Sequence, residues 1–141
     1  MVRFLSEKKG ILSRDKYMTQ KIRIIVGKSI LEADIYDSAC AKAIYEKLPI
    51  EARPNEWGDE FYFSVGLKMP PDETATTKVK VGHIGYWPPG TALAIFFGRT
   101  PLSTGPDPVP ASEVNIVGMI TGDATVLRKK KGASNIRIEK G

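Results

Sequence analysis

From Gln20 onward apolar and polar residues alternate. In KIRIIV the side chains of Ile22, Ile24 and Val26 share one face while Lys21 and Arg23 take the other, the period of a half-buried strand. SILEADI repeats the alternation after Gly27-Lys28, and a glycine at the first centre of a two-residue loop suits a type II′ hairpin. In DSACAKAIYEKLP the period changes: Cys40, Ile44 and Leu48 recur every fourth residue, Asp37 or Ser38 is placed to cap, and Pro49 stops the run. That pattern predicts a short helix. EFYFSV, from Glu60 to Val65, is partly apolar on both faces, which suits a barrel strand whose outer side is also covered. TALAIFF ended by Gly98, then VNIVGMI, then NIRIE read as further strands. GDATVLRKKKG, with Asp123 as N-cap, a basic last turn and Gly132 as stop, predicts a second helix. Some seven or eight strands without βαβ alternation predict a closed antiparallel barrel or sandwich with two short helices.

Residues 1–18 carry no clear period and are expected to form a flexible or loosely attached extension ahead of a single domain over 19–141. GRTPLSTGPDPVPASE, residues 98–113, holds four prolines and is too long for a plain connection, making it a candidate lid or binding segment. VGKS, residues 26–29, imitates the end of a phosphate-binding loop. The required glycine five positions before the Gly-Lys pair is Ile22, inside a strand, and no helix follows, so the segment is a turn.

Composition narrows the class. A chain of 141 residues with 42% hydrophobic and 26% charged content is one ordinary domain. The longest apolar run, ALAIFF, is far shorter than a membrane span, the start lacks the apolar core of a secretory signal, and a lone cysteine, Cys40, fits a reducing compartment; cytoplasm is the expected location. The net charge of +5 gathers near the two ends, with no recognition helix, zinc finger or RNA-binding aromatic motif beside it, so nucleic acid is not the expected partner.

Candidate chemistry is sparse. His83, the only histidine, has no cysteine cluster or second histidine to share a metal, and neither metal nor cofactor is expected. NEWGDE sets Glu56, Asp59 and Glu60 around Trp57, read as a solvated acidic turn. No nucleophile elbow precedes a helix. Tyr86, Trp87, Pro88 and Pro89 form a stiff apolar corner in which Trp87 is expected to plug the barrel end and Tyr86 to be exposed.

GYWPPGTALAIFFG, the following TP, and VNIVGMITGDATVL resemble the signature of a prokaryotic family of small cyclophilin-like proteins and, more distantly, true cyclophilins, over roughly Gln20 to Gly141. The resemblance implies a closed eight-stranded cyclophilin-like barrel capped by two helices. It also implies that Phe97 matches the phenylalanine flooring the cyclophilin proline pocket, with Phe96 turned to the barrel interior, and that Asn115 falls near the position of an enzyme histidine. Taken without it, both rings read equally as core. The cyclophilin catalytic arginine segment corresponds to EFYFSVGLKMPP, which has no arginine or histidine, and the pocket tryptophan is missing from the loop after the Phe-Phe strand. The expectation is therefore a peptide segment or small molecule bound without catalysis in a shallow apolar groove beside Phe97, with Arg99, Tyr62, Asn115 and Tyr86 around it. Two alternatives stand beside it: weak prolyl isomerisation using Arg99 or Arg53, and an assembly module whose groove is filled by a neighbouring subunit or by residues 1–18, which would make the protein a homo-oligomer.

Overall fold

The structure, a computed structural model, describes residues 19–141; the expected N-terminal extension lies outside them. Nine antiparallel strands form one curled sheet: β1 (Gln20–Val26), β2 (Ser29–Ile35), β3 (Ile50–Ala52), β4 (Asn55–Glu56), β5 (Glu60–Ser64), β6 (His83–Trp87), β7 (Ala92–Phe96), β8 (Asn115–Ile120) and β9 (Ile136–Lys140). Their spatial order is β3-β9-β1-β2-β8-β6-β7-β5-β4. β1 and β2 form the expected hairpin, Val26 opposite Ser29, with Gly27 at φ +60° in the two-residue loop where a side chain would be strained.

The helix α1 (Ala39–Lys47) follows the sequence pattern: Ser38 Oγ accepts from the Ala41 N–H at 3.1 Å, and Cys40, Ala41 and Ile44 are buried. Burial pushes the Cys40 thiol above its ordinary pKa, as expected of a small core residue rather than a nucleophile. The second expected helix, Ala124–Lys130, is a 3₁₀ helix, capped by Asp123 through the Thr125 N–H.

The closed eight-stranded barrel is not what forms. The sheet is open, and its edges are β3 and β4. These two strands are consecutive in the chain, separated only by Arg53 and Pro54, so the backbone itself crosses from one edge to the other. Proline has no N–H to donate, and strands of three and two residues are too short to build a ladder across the gap. Side chains span it instead. Glu56 on β4 accepts from the Gly132 N–H, while Asp59 in the next turn pairs with Arg128 Nε at 3.1 Å and Lys131 Nζ at 3.0 Å.

Two apolar clusters hold the sheet. The larger fills its concave side with Ile22, Ile24, Val26, Phe61, Phe63, Leu93, Ile95, Phe97, Val117 and Leu127, among others, together with α1. The smaller, Val79, Ala94, Phe96 and Val114, lies on the opposite side of β7 and is partly covered by Tyr62, Trp87 and Ile116. The sheet is thus buried on both faces around β7, the duality already visible in EFYFSV. Among the described residues no helix is long and apolar enough to cross a membrane.

Candidate functional site

The convex face of β5, β6 and β7 carries a small cavity. Strand alternation sends Phe61 and Phe63 into the main core and leaves Glu60 and Tyr62 on the other side, where β6 contributes Trp87. The end of the 98–113 loop and the residue after it, through Pro110, Ala111 and Val114, form the facing wall. Together with Trp57 these residues enclose about 200 Å³. That is less than the roughly 300–1,000 Å³ usual for drug-sized ligands, room for a head group, a side chain or a small molecule.

Each wall is fixed by local chemistry. The Trp87 indole donates from Nε1 to Ser112 Oγ at 2.7 Å, and a Cβ at Gly90 would fall 2.7 Å from its ring carbons, so only glycine lets the indole lie there. The bend at β6 works similarly: a Cβ at Gly85 would stand 2.9 Å from Val114 Cγ2, and the β6–β8 register shifts between Ile84 and Gly85. Thr76 and Val114 exchange backbone hydrogen bonds of 3.0 and 3.1 Å, pinning the covering segment. The proline-rich loop folds on itself: Ser103 Oγ donates to the Asp107 carbonyl at 2.8 Å and accepts from the Thr100 N–H at 3.0 Å. In the turn before β5, Gly58 has φ +61°, and the Trp57 N–H donates to the Glu60 carbonyl at 3.0 Å.

Glu60 is the unusual member. Its residue is 7% exposed, its Oε1 has no hydrogen-bond partner, and burial raises its pKa from 4.5 to about 8. A carboxyl of that kind is mostly neutral at pH 7 and both donates and accepts. A buried polar atom left unpaired costs about 1–3 kcal/mol, and this residue lines the cavity.

The expected site residues do not come together. Phe97 is fully buried in the main core, its ring 4.7 Å from that of Phe61 at 50°, and not offered to a groove. Phe96 and Phe97 do face opposite ways, but with the sense reversed: Phe96 belongs to the convex cluster beneath the cavity wall. Tyr86 is fully buried rather than exposed, because its hydroxyl donates to the Leu67 carbonyl and accepts from the Met69 N–H at 3.0 Å. Trp87 is not a plug in the barrel end but a wall of the convex cavity. Asn115 is fully buried, accepting from the Asp72 N–H at 2.9 Å and donating to the Pro70 carbonyl at 3.0 Å, which fastens that loop to β8. Arg99 is exposed and donates to the Ser103 carbonyl at 3.2 Å; Arg53 is exposed at the seam. Only Tyr62 of the expected set lines the cavity. His83 opens β6, its Nδ1 accepting from the Lys80 N–H at 2.9 Å, and burial lowers its pKa.

Trp57, Glu60 and Pro110 were not singled out as binding residues by sequence. A signal existed: in EFYF the residues alternating with Phe61 and Phe63 are Glu60 and Tyr62, and a strand covered on both sides must carry Glu60 under the cover.

The curled antiparallel sheet of this order, with α1 and the 3₁₀ helix Ala124–Lys130 among the described residues, is a cyclophilin-like fold. The cyclophilin-like family model matches residues 20–139, and the chain belongs to that family. The hypothetical protein AF2241 from Archaeoglobus fulgidus superposes with a TM-score of 0.73 at 30% identity, covering 88% of this chain and 96% of that one. McbB, solved in complex with tryptophan, superposes with a TM-score of 0.65 at 16% identity, over 84% of this chain and 44% of that one. No curated protein matches the chain significantly.

Proposed function

We propose that the protein is a binding module that receives a small molecule, or one side chain of a peptide segment, in the convex cavity between Trp57, Tyr62, Trp87 and Pro110. The observation that carries this reading is Glu60: a buried, unpartnered carboxyl among aromatic rings, on a wall that glycines and hydrogen bonds hold open. Apolar walls supply affinity and one placed polar group supplies orientation, the usual division of labour in a ligand site. Phe97 has no part in it, being core.

A ligand-observed NMR screen of small fragments against the full chain tests the reading. Ala111 is an exposed residue of the wall, so Ala111→Trp fills the cavity without entering the core. Fragments that bind the wild type and are lost in Ala111→Trp support the site. If every fragment that binds is indifferent to that substitution, or none binds, the reading fails.

A further inference from the structure

Resting on the cavity as the binding site, the chemistry of its walls narrows the ligand. A wholly apolar guest would leave the Glu60 carboxyl, which lines the cavity, without a partner. An anion would find no lysine or arginine among the described lining residues and would face a carboxyl instead. A neutral alcohol or amide satisfies that carboxyl but gains less than a cation from the electron-rich rings of Trp57, Tyr62 and Trp87. A cation takes both, since indole and phenol faces attract positive charge and a desolvated site strengthens that attraction.

We propose that the cavity takes a protonated amine bearing an apolar substituent, an alkyl- or arylalkyl-ammonium, whose N–H donates to the Glu60 carboxylate while its carbons lie against Trp57, Tyr62 and Trp87. The N–H requirement separates this class from quaternary ammonium ions, which satisfy the rings but leave the carboxylate without a donor.

Among the described residues no fixed cation of the protein competes for this place. On β4, Glu56 is engaged by the Gly132 N–H; in the turn, Asp59 is held by Arg128 and Lys131. In the covering loop Arg99 is exposed and turned to the Ser103 carbonyl, Asp107 pairs with Lys80, and Glu113 is exposed. On β7, Phe96 stands opposite Glu60. Desolvation is the cause of the raised pKa of Glu60, and an arriving ammonium supplies the counter-charge that burial withholds.

Binding then couples to proton release. An aliphatic amine stays charged up to about pH 10, so between pH 6 and pH 9 only Glu60 changes state. With its pKa at about 8, the ionised fraction limits the affinity at pH 6, and the gain from pH 6 to pH 9 works out at about 90-fold.

Isothermal titration of the full chain with 2-phenylethylammonium, 2-phenylethanol and tetramethylammonium tests the inference. The arylalkylammonium is expected to bind at least about tenfold more tightly than the alcohol at pH 8.5, to tighten with pH, and at pH 6 to release close to one proton, read from buffers of different ionisation enthalpy. Glu60→Gln should reduce the preference to what the rings supply and abolish the pH dependence. Trp87→Leu should weaken the ammonium more than the alcohol, which keeps the test decisive if the Gln variant folds poorly. Equal binding of alcohol and ammonium, or a preference untouched in Glu60→Gln, overturns the cation inference and leaves the cavity as a binding site. Tetramethylammonium binding as tightly as the primary amine overturns the role of the N–H. If none of the three binds while screened fragments still depend on Ala111, the amine class is wrong and the site stands.

Discussion

Glu60 ties the pH dependence of stability to one side chain. In the unfolded chain it titrates near its ordinary value of 4.5, and in the fold at about 8, because burial penalises the charged form. Between those values the native state holds more protons than the unfolded one, so stability falls as pH rises. The contribution of the neutral carboxyl is complete below pH 4.5 and is lost through the window up to about 8. At 1.36 kcal/mol per pKa unit the loss between pH 5 and pH 8 comes to about 3–4 kcal/mol, a large part of the 5–15 kcal/mol typical of a domain. Glu60→Gln keeps the shape of the protonated acid and cannot ionise. Its stability, relative to wild type, should therefore climb by about 3–4 kcal/mol over that interval. Urea unfolding followed by tryptophan fluorescence at pH 5, 6, 7 and 8 measures both proteins. Asp123 and Glu139, whose hydrogen bonds lower their pKa values, titrate alike in both and cancel in the difference. Parallel stability curves would show that Glu60 is solvated and ionised in the fold, and would refute the buried-carboxyl account.

Two further outcomes follow from the corrected core. Phe97→Ala should cost about 3–5 kcal/mol of stability in chemical unfolding, with a double-mutant cycle against Phe61 showing about 0.5–1.5 kcal/mol of coupling; a loss under 1 kcal/mol would return Phe97 to the surface. Tyr86→Phe removes a hydroxyl serving both Leu67 and Met69, and should cost about 1–3 kcal/mol with faster amide exchange at Met69, whereas unchanged exchange would contradict the hydrogen bonds described.

Much of the frame was legible because its periods are unambiguous. KIRIIV and SILEADI alternate against charged partners, so their inward faces could be chosen, and Ser38 and Pro49 bracket a helix of the right period. The phase of β7 was not legible. Ala92 to Phe96 is apolar and buried throughout, and such a strand records that neighbours face opposite ways but not which way. The sense for Phe96 and Phe97 came from the cyclophilin resemblance, and the fold reverses it. The edge strands were too short to leave a period, which is why the sheet looked closed. Glu60 was read as solvated because its neighbours Glu56 and Asp59 are acidic; those two do meet donors at the seam, while strand alternation carries Glu60 beneath the loop.

The gap between β3 and β4 leaves the circumference of the sheet without a ladder to close it. A continuous ladder would fix that distance in units of one strand spacing, but here one covalent tether at Arg53-Pro54 and a few charged contacts to Asp59 and Glu56 set it. Exposed ion pairs weaken as electrolyte shortens the Debye length to about 8 Å at physiological strength and less beyond. The same turn that carries those contacts carries Trp57 and leads into Glu60, two residues of the cavity wall.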